Sequence, residues 1–173
     1  MKKIILSTFV CISLFTQAQV QTPKASPVAK VEQRAGLTDI SISYSRPAVN
    51  GRKIFGELIP FGVRWRLGAN ENTEITFSKT VTIGDKKIKA GTYSLFAIPT
   101  KDNWTIIVNK QTDRWGAFSY DEAKDVARVL VPITKTDKVI ENFSITFAES
   151  TEGANLFMAW DQTQVMLPIL FKK

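Results

Sequence analysis

Hydrophobic and polar residues alternate along much of the chain, with the period of two that is typical of β-strands. From Ile40 to Tyr44 apolar residues alternate with serines, and Ile75 and Phe77 alternate with threonine and serine. The run from Thr92 to Ile98 is largely apolar on both faces, which predicts a central strand covered on both sides. The same pattern predicts further strands over 81–83, 104–108, 126–133, 140–147, 155–160 and 163–171.

The connections between these strands are short and polar, and helical signals are weak. Gly84-Asp85 and Asp161-Gln162 are predicted tight turns between neighbouring strands. Gly51–Leu58 is predicted to form about two helical turns, and Ser119-x-x-Glu122 resembles a capping box for a short turn. Together these features predict an all-β fold, an antiparallel β-sandwich or jelly-roll-like barrel with one or two short helical turns.

The first 18 residues have the pattern of a secretory signal peptide. Lys2 and Lys3 precede a mostly apolar run, and Thr16-Gln17-Ala18 places small residues at both recognition positions. A membrane anchor is disfavoured because the run is shorter than the ~20 residues that span a bilayer. A lipoprotein cut before Cys11 is disfavoured because Val10 precedes it. We therefore expect cleavage after Ala18, export to the periplasm or the exterior, and no transmembrane segment in the cleaved chain.

The remaining chain is expected to form a single domain. Residues 19–36 contain Pro23 and Pro27 and show no hydrophobic period, so they are predicted to be a flexible lead-in. A single β-rich domain is predicted over 37–173. The length of 173 residues, of which 44% are hydrophobic and 23% charged, fits one globular domain with a tail.

The composition excludes several kinds of chemistry. The chain has no histidine, and its one cysteine is Cys11. Cys/His zinc sites, Ser-His-Asp and Cys-His nucleophile systems, redox cysteine pairs and disulfides are therefore excluded for the body of the chain. The acids Asp121, Glu122 and Asp125 are explained by a helix start rather than by calcium. We expect no metal and no cofactor.

Several motifs together resemble a family of exported bacterial proteins, domain of unknown function 2911. The resemblance covers residues 40–147 and implies a secreted or periplasmic β-rich domain, without implying an activity. The matching segments are Tyr44-Ser45-Arg46-Pro47, Gly51-Arg52-Lys53-Ile54-Phe55-Gly56, Trp65-Arg66-Leu67-Gly68-Ala69-Asn70-Glu71, Ala90-Gly91-Thr92-Tyr93-Ser94-Leu95-Phe96, Trp104-Thr105-Ile106-Ile107-Val108-Asn109-Lys110 and Trp115-Gly116.

The stretch from residue 46 to residue 71 carries the strongest candidate chemistry. It is rich in glycine and proline, and five cations up to residue 66 face one acid, Glu57. Arginine suits carboxylate, sulfate or phosphate because it donates paired hydrogen bonds, so the stretch is a candidate anion-binding loop. The alternative is that the arginines bind backbone carbonyls and Glu57, Glu71 and Glu74. The predicted ligand-binding residues are Arg46, Arg52, Lys53, Arg64, Trp65, Arg66, Asn70 and Glu71.

No catalytic residue is predicted. Glu71 is a candidate buried partner of Arg66 or Arg52, or a general base facing a pocket. Neighbouring arginines lower the pKa of a carboxyl, which makes a poor base and favours the ion pair. Of the four tryptophans, Trp104 and Trp160 are predicted to lie in the core. Trp65 and Trp115 are open between a core position and an exposed sugar-stacking position.

These patterns favour a non-catalytic cell-envelope module that binds an anionic or carbohydrate ligand, such as an acidic glycan, a phosphate or another envelope component. One alternative is a structural or protein-interaction domain whose arginines brace the loop. A second is a metal-independent hydrolase using Glu71, Tyr44 or Lys53. Nucleic acid is disfavoured because the formal net charge of +7 is moderate and no reading motif is present.

Overall fold

The computed structural model describes residues 22–171, which form nine antiparallel strands and a single-turn 3-10 helix at Glu122–Lys124. The predicted signal peptide, its cleavage site after Ala18, and Cys11 lie outside the described residues. The strands are β1 (Val28–Ala35), β2 (Thr38–Ser45), β3 (Thr73–Phe77), β4 (Val81–Ile83), β5 (Lys86–Ile88), β6 (Gly91–Pro99), β7 (Asn103–Asn109), β8 (Asp125–Ser150) and β9 (Gly153–Phe171).

The strand order is β1-β2-β3-β6-β7-β8-β9-β4-β5, so the predicted all-β, sandwich-like fold is confirmed. The long strand β8 joins the two parts of the sheet. Its residues 125–132 pair with β7, and the rest, from Ile133 to Ser150, pairs with β9. The short hairpin β4–β5 interrupts the chain between β3 and β6 and pairs with the end of β9 through Ile169–Phe171.

Alternating side chains of these strands fill one hydrophobic core. The centre of β6 is buried on both faces from Tyr93 to Ala97, as predicted for a central strand. Trp104 and Trp160 are fully buried, which confirms their predicted core positions. Burial of such apolar surface stabilises the fold by roughly 25 cal/mol per Å² removed from water.

Two pairs of predicted strands are in fact single strands. The segments 126–133 and 140–147 are both parts of β8, and 155–160 and 163–171 are both parts of β9. The pairing register shifts between Lys135 and Ile140, and Asp161 opposite has a φ of 54°. Asp161 and Gln162 are polar, but they lie inside β9, and β8 and β9 pair on both sides of them. The prediction of a tight turn at Asp161-Gln162 is therefore wrong.

The prediction of a flexible lead-in over residues 19–36 is wrong for residues 28–35. They form β1, in which every second side chain is exposed. An edge strand covered on one face needs few apolar residues, and β1 gains its order from antiparallel pairing with β2.

The two predicted helical segments also differ from the structure. Gly51–Leu58 forms turns rather than helix, with a bridge between Phe55 and Ile59. The 3-10 turn is capped by Asp121, whose side chain accepts a hydrogen bond from the Ala123 amide, and not by Ser119.

Candidate functional site

The connection between β2 and β3, residues 46–72, is fixed to the sandwich at three points. Ala48 bridges Asn142 of β8, Trp65 bridges Ala97 of β6, and Glu71 bridges Trp115. Backbone hydrogen bonds of 2.7 and 2.9 Å join Trp65 and Ala97 in both directions. The arginines of this connection are therefore held on a defined backbone rather than on a loose loop.

Trp65 lies in the core and not in the exposed position that the sequence had left open for it. Its side chain is 5% exposed, and its indole N–H donates to the Gly68 carbonyl at 2.8 Å. The ring stacks on Trp160 with centroids 5.7 Å apart and meets Trp104 edge-on. Trp115, in contrast, is 59% exposed.

Arg46 and Arg52 brace the connection through uncharged acceptors. Arg46 donates from Nε to the Phe143 carbonyl at 3.1 Å and from Nη2 to Ser144 Oγ at 2.9 Å. Arg52 donates to the carbonyls of Val49 and Ala48 at 3.0 and 2.5 Å. Arg46 and Arg52 therefore bind backbone carbonyls, as the bracing alternative predicts.

Arg64 and Arg66 have fewer partners. The Arg64 guanidinium lies 3.7 Å from the centre of the Tyr120 ring, and its Nη2 donates to the Ala117 carbonyl at 3.4 Å. The Nε atoms of both arginines are buried and have no hydrogen-bond partner among the described residues. Burial lowers the pKa of the Arg66 guanidinium, because the charged form loses water without gaining a counter-charge.

The carboxylates expected to neutralise this region are engaged elsewhere. Between residues 22 and 171, no carboxylate forms an ion pair within 4.0 Å with Arg46, Arg52, Arg64 or Arg66. Lys53 pairs with Glu57 at 3.0 Å. The bracing alternative is thus wrong where it predicts that Glu57, Glu71 and Glu74 neutralise the arginines.

Glu71 pairs with Lys24 and not with an arginine. The two side chains are 2.6 Å apart and about half exposed, and the hydrogen bond from Lys24 holds the pKa of Glu71 below its usual value. The expectation of a buried partner for Arg66 or Arg52 is therefore wrong. Glu74 accepts a hydrogen bond from the Asp113 amide at 2.7 Å, and Asn70 donates to the Ser26 carbonyl at 3.2 Å.

Two adjoining cavities open beside Arg66, and we call them together the Arg66 cleft. The first, of about 320 Å³, also includes Arg52, and the second, of about 160 Å³, also includes Arg64. Their common wall is formed by Leu58, Ile59, Trp65 and Arg66. Of the predicted ligand-binding residues, the structure brings Arg52, Arg64, Trp65 and Arg66 to this cleft; Arg46, Lys53, Asn70 and Glu71 do not line it. The other lining residues are Ser26, Pro47, Pro60, Val63, Gly68, Ala69, Ala117 and Trp160.

The sequence analysis missed Tyr120, whose ring lies against the Arg64 guanidinium. Its hydroxyl donates to Asp125 Oδ2 at 2.5 Å and accepts from Arg128 Nη2 at 2.9 Å. Burial, helped by the hydrogen bond to Asp125, raises the pKa of Tyr120 to about 12. The spacing of Asp125 and Arg128 is a local signal for their ion pair at 2.7 Å, but nothing in the sequence links Tyr120 to Arg64.

The described chain offers no group of three or more ligating side chains for a metal ion. No helix within residues 22–171 has the length and hydrophobicity to span a membrane.

A comparison with protein families finds one model, described as a protein of unknown function, DUF2911, that matches residues 26–169. The match runs from just before β1 almost to the end of β9 and includes every residue of the Arg66 cleft. No curated protein and no solved structure matches the chain.

Proposed function

Since the chain belongs to the DUF2911 family, whose description states no activity, we propose a function from its site. The protein is a non-catalytic cell-envelope module that binds an anionic ligand in the Arg66 cleft. The envelope location rests on the signal peptide predicted over residues 1–18. The ligand class rests on the charge and hydrogen-bonding state of the cleft.

The partly buried guanidinium of Arg66 is the observation that carries this proposal. Its Nε–H has no acceptor, and no carboxylate of the described chain neutralises its charge. A buried donor without an acceptor costs free energy, and a bound anion would recover it by accepting this hydrogen bond. A carboxylate or phosphate offers two oxygens to one guanidinium and supplies both the charge and the missing acceptor.

The surroundings of Arg66 suit a bound anion better than a reaction. Arg52 lies on the same cavity as a second cation, held in place by its bonds to the Val49 and Ala48 carbonyls. None of the residues that line the cleft is an aspartate or glutamate. A hydrolase that relies on a carboxylate would need such a residue near the substrate.

Binding of inorganic phosphate and of glucuronate, measured by isothermal titration calorimetry, tests the proposal. Arg66→Gln keeps a polar side chain but removes the charge and the fork of donors. Charge-assisted hydrogen bonds contribute ~1.5–3 kcal/mol, so Arg66→Gln should weaken binding by roughly 10- to 100-fold.

Arg34→Gln is the matched control, because Arg34 is exposed on β1 and pairs with Asp39 at 3.5 Å, away from the cleft. This control should bind both anions like the parent. If neither anion binds the parent, or if Arg66→Gln and Arg34→Gln bind equally well, the anion-binding proposal fails and only the bracing by Arg46 and Arg52 remains.

A further inference from the structure

Five of the ten large apolar side chains that are exposed in the described chain lie in two loops near the Arg66 cleft. Leu58, Phe61 and Val63 belong to the β2–β3 connection, and Trp115 and Phe118 belong to the loop after β7. Phe118 is the most exposed, at 88% of its surface. We call these five side chains the apolar rim. Contiguous apolar patches on protein surfaces are characteristic of interaction sites.

The two loops of the apolar rim contact each other beside the cations. Arg64 of the first loop donates to the Ala117 carbonyl of the second at 3.4 Å. A β-carbon placed on Gly116 would lie 3.1 Å from the Phe118 ring and 3.5 Å from Arg66 Nη1. The most exposed aromatic ring of the rim therefore lies close to Arg66, one of the arginines that form no ion pair within residues 22–171.

The charge of these loops is positive. Five cations and two carboxylates, Glu57 and Asp113, lie on residues 52–66 and 113–118, and Glu57 is already paired with Lys53. Trp115 also lies beside Glu71 and Glu74, of which Glu71 is paired with Lys24, so the positive charge is concentrated around Arg64 and Arg66 rather than at Trp115. An apolar rim that lies next to arginines without ion pairs is complementary to a bilayer surface with anionic headgroups. The cations are Arg52, Lys53, Arg64, Arg66 and Arg114.

We propose that the apolar rim docks on a membrane surface containing anionic phospholipid, and that a lipid phosphate occupies the Arg66 cleft. This inference rests on the anion-binding function proposed above and names the source of the anion. Trp115 and Phe118 insert at the boundary between headgroups and acyl chains, where aromatic side chains are favoured. A fluid interface accommodates a protruding ring such as Phe118, whereas a folded partner would need a matching pocket.

Vesicle co-sedimentation tests the docking. The probes are vesicles of phosphatidylcholine alone, and of phosphatidylcholine with phosphatidylglycerol at a ratio of about two to one. The parent should bind the mixed vesicles at least ~10-fold more tightly than the neutral ones, and added salt should weaken binding. The double variant Trp115→Ser, Phe118→Ser should lose at least ~10-fold in affinity for the mixed vesicles.

The matched control is Leu37→Ser, Leu130→Ser, which removes two side chains that are 70% and 65% exposed outside the rim. It should bind like the parent. Tryptophan fluorescence gives an independent readout, because Trp65, Trp104 and Trp160 are buried and only Trp115 of the four is exposed. Its emission should shift to the blue on mixed vesicles and be quenched by brominated lipid.

The outcomes separate this inference from the proposed function. If phosphate binds through Arg66 but mixed vesicles do not bind, the docking is wrong and anion binding stands. If neither binds, both are wrong. Vesicle binding that the rim variant leaves unchanged overturns the docking, and vesicle binding that survives Arg66→Gln overturns the occupation of the cleft by a lipid phosphate. A dimer in solution that the rim variant dissociates, without vesicle binding, would assign the rim to a second copy of the chain.

Discussion

Replacing Arg66 with Met should make the ligand-free protein more stable. The buried Nε–H of Arg66 has no acceptor among the described residues. An unsatisfied buried donor costs ~1–3 kcal/mol, and methionine removes it while it keeps much of the apolar stem of the side chain. Allowing for lost packing, we expect a gain of about 1 kcal/mol in the free energy of unfolding, or ~2–4 °C in Tm for a domain of this size.

Arg46→Met is the internal control, because it makes the same change in the same connection with the opposite expected sign. Arg46 donates to the Phe143 carbonyl and to Ser144 Oγ, and both acceptors lose a partner in the variant. This loss should cost ~1–2 kcal/mol. The two variants therefore separate an arginine that is retained for binding from one that braces the fold.

Urea unfolding in a low-salt buffer without phosphate or sulfate measures both changes. Added phosphate should then stabilise the parent by mass action and leave Arg66→Met unaffected, because ligand that binds only the folded state raises its stability. The reasoning is refuted if Arg66→Met loses as much stability as Arg46→Met, since the side chain would then have partners that hold it in place.

Three further outcomes follow from contacts in the fold. The pKa of Tyr120 is raised from 10.0 to about 12 on folding, so the folded state holds this proton more tightly. The free energy of unfolding should be unaffected by this group below pH 10 and should fall as the pH rises from 10 to 12. In Tyr120→Phe, the urea midpoint should lose the part of this fall that Tyr120 causes. Gly153→Ala should destabilise the protein by at least ~1–3 kcal/mol in urea unfolding, because the new β-carbon would lie 2.0 Å from the Ile169 carbonyl oxygen. Trp65→Ala should cost ~3–5 kcal/mol because the ring is 5% exposed, whereas Trp115→Ala, at 59% exposed, should leave the thermal midpoint within about 1 °C.

The strands were predictable because a half-buried strand has a local signature. In β2 and β3 every second side chain enters the core, and the residues between them are polar. The same reasoning failed for β1, because its more buried row, Ala29, Val31, Gln33 and Ala35, contains a glutamine and two small alanines and so gives a weak apolar signal. It also failed inside β9, where the polar pair Asp161-Gln162 forms an irregularity in pairing rather than a turn. Whether a polar pair ends a strand depends on the partner strand, which the local sequence does not contain.

The residue types of the candidate site were predictable, but the directions of their side chains were not. The concentration of arginines marked the right connection, and Arg52, Arg64 and Arg66 do reach one cleft. Arg46 turns to β8 because the acceptors on Phe143 and Ser144 lie there, almost a hundred residues away in sequence. The burial of Trp65 had a local signal that was not used. Successive residues of an extended chain point to opposite sides, so the ring between the charged residues Arg64 and Arg66 is expected to face the core.

The position of the β4–β5 hairpin sets the order in which the chain can complete its fold. A polypeptide that emerges N-terminus first can pair β1, β2, β3, β6 and β7 as each appears. Val81–Ile83 must wait, because its neighbour Ile169–Phe171 is synthesised about ninety residues later. Until then the edge of Val81–Ile83 that faces β9 has no strand to pair with. A chain that ends before Ile169 should therefore keep this edge open, which makes it more accessible to chaperones and proteases than in the completed fold.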